Sequence, residues 1–173
     1  MLILIDGYNL IRQSDSLRRF DRKSLEAGRR ALIARLAEYG GRRNHQVTVV
    51  FDGVQHGEAE ENRLREGKID IIFSRHGERA DDVIKRIAAR TGEEIIVVSS
   101  DREITSYVRK LGKTALSSDE FETIVNRVIS AEGAPIPEME DLNDDRERSP
   151  KKKGPSRKQP RAQRKAWMKI QKL

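Results

Sequence analysis

Residues 2–9 read Leu2-Ile3-Leu4-Ile5-Asp6-Gly7-Tyr8-Asn9, four aliphatic side chains followed at once by an acid, a glycine and a polar turn. Four aliphatics without a polar alternation make a strand buried on both faces. Three further runs repeat the pattern: Val47-Thr48-Val49-Val50-Phe51, Ile69-Asp70-Ile71-Ile72-Phe73 and Ile95-Ile96-Val97-Val98. Helical periodicities lie between them, so the chain reads as an α/β domain built on a parallel sheet. Asp6 ends the first run, Asp52 ends the second, and Asp101 closes the fourth after Ser99-Ser100. Asp81 opens the helix that follows the third. Open α/β sheets bind ligands outside the carboxyl ends of their strands, and these acids are expected to gather there.

Working outward, a polar loop carrying Arg12, Arg18, Arg19, Arg22 and Lys23 is expected after Asn9. Ser24 caps a helix whose apolar face includes Leu25, Leu32, Ile33 and Leu36, ending near Gly40-Gly41. Residues 54–67 are polar, with room for one short helix. Asp70 inside the third run suits an edge strand. Ala80, Val83, Ile84, Ile87 and Ala88 repeat at helical spacing, with Gly92 as the cap. Ile104, Tyr107, Val108 and Leu111 mark another helix, ended by Gly112. Thr114-Ala115-Leu116 is a short fifth strand. Ser117 and Glu120 form a capping box for a last helix that stops at Gly133, with Phe121, Ile124, Val125, Val128 and Ile129 inward. Pro135 and Pro137 close the domain, residues 1–133. Residues 134–148 are an acidic linker, and 149–173 a basic tail expected to be largely disordered, since it cannot bury enough surface to offset its ordering entropy. His45, His56 and His76 lie at no zinc-motif spacing and read as surface loop residues.

The 173 residues make one domain plus at most an appendage. With no cysteine, disulfides, thiolate zinc sites and cysteine nucleophiles are excluded, and a reducing, cytoplasmic setting is the expectation. No run approaches the roughly 20 residues of a membrane span, and no basic segment precedes the first strand, so neither a membrane partner nor a signal peptide is expected. The net charge is +7, yet the tail alone holds ten Lys or Arg and no acid, which leaves the remainder at −3. So sharp a separation points to a polyanion partner, with nucleic acid foremost.

Acids from separate strands, with almost no other reactive chemistry available, suggest a divalent metal site. Hydrolysing a phosphodiester at neutral pH needs an acidified water and a Lewis acid, and bound Mg²⁺ or Mn²⁺ supplies both. These ions take oxygen ligands, chiefly carboxylates and water. Asp6, Asp81 and Asp101 are the candidate metal ligands and catalytic residues. Asn9 is placed to orient Asp6 or a bound water. At about 100° per residue, Asp81 falls on the border of its helix's buried face, while Asp82 faces solvent as a first-turn dipole acid. Ser100 is a candidate for positioning water or phosphate. Asp52 stands either behind the metal ligands or as a plain turn residue, and Asp119 reads as a helix-dipole acid.

The candidate nucleic-acid contacts form two groups. Arg12, Arg18, Arg19, Arg22 and Lys23 stand beside Asp6. Lys151, Lys152, Lys153, Arg157, Lys158, Arg161, Arg164 and Lys165 crowd the tail, where neutralised phosphates release counterions and give salt-sensitive, sequence-independent affinity. Trp167 offers a stacking face for a base or a hydrophobic anchor for a protein.

The set ILIDGYN, VVFDG, IIFSRHGERADDVIKRIA and VVSSD resembles the NYN-domain nucleases of the PIN-like superfamily, and within it the YacP-like branch. The resemblance covers about residues 1–132. It implies a three-layer domain with a parallel sheet ordered 3-2-1-4-5, flanked by helices. It further implies an acidic Mg²⁺ or Mn²⁺ site, cleavage of single-stranded RNA in processing or decay of messages, and association with the ribosome. Carried over by motif, the acids are Asp6, Asp81 and Asp101, with Asn9 beside them. A non-catalytic RNA- or ribosome-binding adaptor is the alternative. A phosphatase or receiver-like domain fits less well, because strand one lacks the second acid each requires. The oligomeric state is not legible in the residues.

Overall fold

The computed structural model describes residues 1–43, 45–53, 61–130 and Met168. The acidic linker and the tail contacts named above, Trp167 among them, lie outside the described residues, as does His56. The chain runs β1 (Leu2–Asp6), α1 (Gly7–Gln13), α2 (Asp15–Asp21), α3 (Leu25–Arg42), β2 (Gln46–Phe51), β3 (Asn62–Glu66), β4 (Ile69–Phe73), α4 (Ala80–Arg90), β5 (Ile95–Val98), α5 (Arg102–Lys110), β6 (Thr114–Leu116) and α6 (Ser118–Ser130).

The six strands form one sheet in the order β3-β4-β2-β1-β5-β6. Every pairing is parallel except β3 with β4. Without β3, the order is the expected one. β1 is central, with Leu2 paired to Gln46 on one side and to Ile95 on the other.

Alternate residues of the aliphatic runs feed two cores. Ile3, Ile5, Val47, Val49, Ile96 and Val98 pack under α1, α2, α3 and α6 through Leu10, Leu17, Leu32, Leu36, Phe121 and Val125. Leu2, Leu4, Val50 and Val97 pack against Ala80, Val83 and Ile84 of α4 and Ile104 and Val108 of α5. Helices therefore cover both faces, giving three layers and explaining why the strands lack polar alternation.

Several local expectations are corrected. The polar loop after Asn9 is two short helices. Buried Leu10, Ile11 and Leu17 anchor them, and Ser14 caps the second by accepting from the Leu17 amide at 3.2 Å. The arginines between these positions obscure the apolar spacing. Residues 62–66 form a strand rather than part of a helix, turned back through Gly67 at φ +59°. That hairpin makes β4 an interior strand. Asp70 is tolerated there because Arg65 of β3 lies 3.7 Å from its carboxylate and Gln46 donates to it at 3.3 Å. Helix α3 continues through Gly40 and Gly41 to Arg42, and α4 ends at Thr91, which leaves the helix in extended backbone without using Gly92. His45 is buried, with Nδ1 3.2 Å from the Tyr39 hydroxyl. Burial lowers its pKa and pushes the Tyr39 phenol up to about 12. The Ser24 cap, the Gly112 turn at φ +71° and the Ser117–Glu120 capping box stand as expected.

Candidate active site

The parallel register brings the carboxyl ends of β1, β2, β4 and β5 to one edge. Asp6 is the last residue of β1 and the N-cap of α1. Its Oδ1 accepts from the Asn9 amide at 3.2 Å, and its Oδ2 accepts from the Ser99 hydroxyl at 3.0 Å. The side chain must share this edge with little water, since the residue is 8% exposed. Burial pushes its carboxyl up to about 6. The Ser99 and Asn9 hydrogen bonds oppose that rise, and the negative charges of Asp81 and Asp52 add to it.

Gly7 follows because of packing rather than a turn. A Cβ there would lie 2.3 Å from the Phe51 ring, and φ at Gly7 is not positive. Gly53 has a similar reason, since its Cβ would meet the Ser74 carbonyl oxygen at 1.8 Å. Both Asp-Gly pairs thus let the acid end a strand where the next backbone is in tight contact.

Asp81 is the second residue of α4, and its side chain is 16% exposed. Burial raises its pKa first, Arg79 lowers it, and the charges of Asp101 and Asp52 raise it again. Arg79 Nη2 lies 3.2 Å from Asp81 Oδ2. Asp82 is exposed and turns back to accept from the Arg79 amide at 3.4 Å, which leaves Asp81 as the inward of the two acids.

Asp101 is the N-cap of α5, with Oδ1 accepting from the Glu103 amide at 2.6 Å and the Ile104 amide at 3.3 Å. Its own amide donates to Ser99 Oγ at 3.1 Å. Ser99 therefore links Asp6 to Asp101 through one buried hydroxyl. Asp52 Oδ1 accepts from the Ala80 amide at 2.7 Å. It supplies the N-terminal acceptor that an arginine at the cap position cannot, and so positions the helix turn that carries Asp81.

Asn9 braces the surrounding loops. Its Oδ1 accepts from the Ser100 amide at 2.8 Å and from the Ser118 hydroxyl at 2.8 Å. An amide N–H can only donate, so this contact also settles which side-chain atom is the oxygen. Ser100 Oγ accepts from the Ser118 amide at 3.1 Å. The Ser100 amide and hydroxyl oxygen are thus engaged with protein.

The five basic residues near Asp6 divide. Arg12 lies 5.8 Å from the Tyr8 ring centroid. Arg18 pairs with Asp15 at 2.8 Å, Arg19 and Lys23 flank the Phe20 ring, and Arg22 is the C-cap of α2. Arg29 of α3 was hidden among solvated helix residues, yet its guanidinium donates to the Tyr8 hydroxyl at 3.3 Å. Tyr8 in turn feels the charge of Asp52. A groove of about 620 Å³ lies between α2 and α3, walled by Leu17, Phe20, Arg30 and Ala31, and none of the four acids lines it.

Among the described residues, no three His, Cys, Asp or Glu side chains enclose a metal site by themselves. The donor set still suits a hard cation. Mg²⁺ keeps several waters and is commonly held by one or two carboxylates together with substrate phosphate. A cation would also relieve the repulsion and desolvation that raise Asp6 and Asp81.

Comparison with known proteins agrees with this architecture. The family model described as "YacP-like NYN domain" matches residues 3–172, a span that runs through the tail beyond the motifs quoted above. The Bacillus subtilis (strain 168) protein described as "Uncharacterized protein YacP" is 30% identical over 136 residues, covering 73% of this chain and 78% of that one. The crystal structure of a mutant of Rae1 (YacP) from Bacillus subtilis aligns with a TM-score of 0.62 at 28% identity, covering 74% of this chain and 76% of that one. A second crystal structure of Rae1 (YacP) from that organism aligns at 0.61 and 26% identity, covering 74% and 75%.

Proposed function

Since the chain belongs to the YacP-like NYN domain family, which includes nucleases, we propose that it is a divalent-metal-dependent endoribonuclease. Its substrate in this reading is single-stranded RNA, with message in processing or decay, free or on the ribosome, as the target. The supporting observation is electrostatic: Asp6 senses Asp81 and Asp52, and Asp81 senses Asp101 and Asp52. Four acids from four separate segments share one field at one sheet edge. A binding platform has no use for that repulsion, whereas a cation site does.

In this mechanism Asp6, Asp81 and Asp101 would hold Mg²⁺ or Mn²⁺. When bound, such a cation would supply an acidified water and shielding of charge on the transferring phosphate. Water adds to phosphorus, the bond to the 3′-oxygen breaks, and the products carry 5′-phosphate and 3′-hydroxyl ends. Ser99 keeps the Asp6 carboxylate oriented, Asn9 ties the three loops around it, and Asp52 holds the start of α4. Arg12 and Arg29, flanking Tyr8, take backbone phosphates in this reading.

The test is incubation of labelled single-stranded RNA with Mg²⁺ or Mn²⁺, with EDTA and Asp6→Asn controls and end-group analysis. DNA is run in parallel. Wild type should cut RNA, and both controls should be silent. Cutting by Asp6→Asn at the wild-type rate defeats the assignment. The Arg79–Asp81 ion pair favours a second reading, an adaptor that binds RNA or ribosome without cutting, because a resident arginine already neutralises one acid.

A further inference from the structure

Lys85 lies one helical turn after Asp81 on α4, and residues four apart stack on one helix face. Helix side chains lean toward the N-terminus, so the Lys85 stem runs back toward the edge where the acids sit. Its partner confirms the direction. The ammonium meets the carboxylate of Glu103, in the first turn of α5 and two residues from Asp101. The ammonium also lies within the field of Asp81 and Asp82. The Lys85 side chain is 19% exposed, whereas Glu103 is 72% exposed. The cation is therefore held by packing of its stem, and its present anion is largely in water. Ion pairs with a solvated partner are weak, so another anion can replace Glu103 at little cost.

We propose that Lys85 is a phosphate-contacting residue of the site, and that Glu103 occupies it until an RNA phosphate takes its place between α4 and α5. The inference rests on the nuclease reading for its substrate and assigns the phosphate grip on the side of the acids opposite Arg12 and Arg29. A packing clamp between α4 and α5 would treat the two partners alike. A phosphate contact makes them opposites, because removing Lys85 deletes the grip while removing the Glu103 charge frees it.

The experiment uses the full chain and a labelled single-stranded RNA oligomer. Binding is titrated in EDTA over a salt series, and kcat and KM are then measured with Mn²⁺ for wild type, Lys85→Gln, Lys85→Arg and Glu103→Gln. Lys85→Gln should weaken binding, raise KM and lower the slope of log affinity against log salt by about 0.7, the share of one phosphate on a single strand. Lys85→Arg should restore most of the loss. Glu103→Gln should bind more tightly than wild type. Thermal melts identify any variant that fails to fold, and the Lys85→Arg and Glu103→Gln comparison then carries the decision. An unchanged affinity and slope in Lys85→Gln, or losses of the same sign in Lys85→Gln and Glu103→Gln, overturn the proposal. If wild type binds RNA in a Lys85-dependent way but never cuts, the contact survives and the nuclease reading falls. If wild type cuts and Lys85→Gln binds and cuts equally well, the contact falls alone.

Discussion

Asp6 carries two opposed demands, since burial favours its neutral form and the proposed chemistry needs its charge. A carboxyl moved from 3.8 to about 6 corresponds to about 3 kcal/mol by which the folded chain disfavours the charged form, relative to the unfolded chain, at neutral pH. Because the folded-state value is raised, stability from protonation is complete below about pH 4 and lost as pH rises through about 6. Asp6→Asn should therefore melt close to wild type near pH 4 and above it at pH 7 in EDTA. Adding Mn²⁺ should raise the melting temperature of wild type only. Ser99 holds the charge from the other direction. In Ser99→Ala the Asp6 carboxyl should rise further, moving the acidic limb of the rate–pH profile upward by about one unit, the worth of one hydrogen bond to a charged group. The gathering of the three acids and Asn9 at one end of the sheet was legible in the residues. Ser99 was not, because a hydroxyl between a strand and a helix carries no signal until the sheet order places it beside β1.

α4 depends on a residue outside itself. Its N-cap is Arg79, which has no acceptor to offer, and Asp52 at the end of β2 supplies one to the Ala80 amide. Losing such a cap costs about 0.5–2 kcal/mol. Asp52→Ala should show that loss in chemical denaturation together with a fall in kcat, because Asp81 rides on the same turn. Asp52→Asn, which keeps an acceptor oxygen, should recover most of the stability. Recovery of stability without any recovery of kcat would give Asp52 a direct part in the chemistry. At this scale helical spacing was readable wherever one apolar face was clean, as in α4 and α6. It failed for α1 and α2, whose buried Leu10, Ile11 and Leu17 stand among arginines, and for β3, whose Arg63 and Arg65 are stabilised by cross-strand and local partners rather than by burial. Asp70 misled because its countercharge, Arg65, arrives from a strand that polar composition concealed.

Across the whole molecule, charge and chemistry occupy different parts of the sequence. The described body holds the acids, and the strongly basic residues 149–173 lie outside it. Deleting 149–173 should leave cutting of short RNA at a measurable rate while flattening the dependence of affinity on salt, as read by titration and turnover on one oligomer. A full chain that never cuts, and that loses RNA or ribosome binding with an intact fold when 149–173 are removed, would favour the adaptor reading. The sheet order has a consequence for biosynthesis. The strand bearing Asp6 is made first, yet it sits between β2 and β5 and is paired only by residues near 46 and 95. Asn9 acquires its last partner only when Ser118 emerges. A nascent chain stopped just past residue 101 would possess all four acids and still lack the Ser118 brace that ties Asn9 to the last helix, so the proposed hydrolysis would have to wait until translation of the domain is nearly finished.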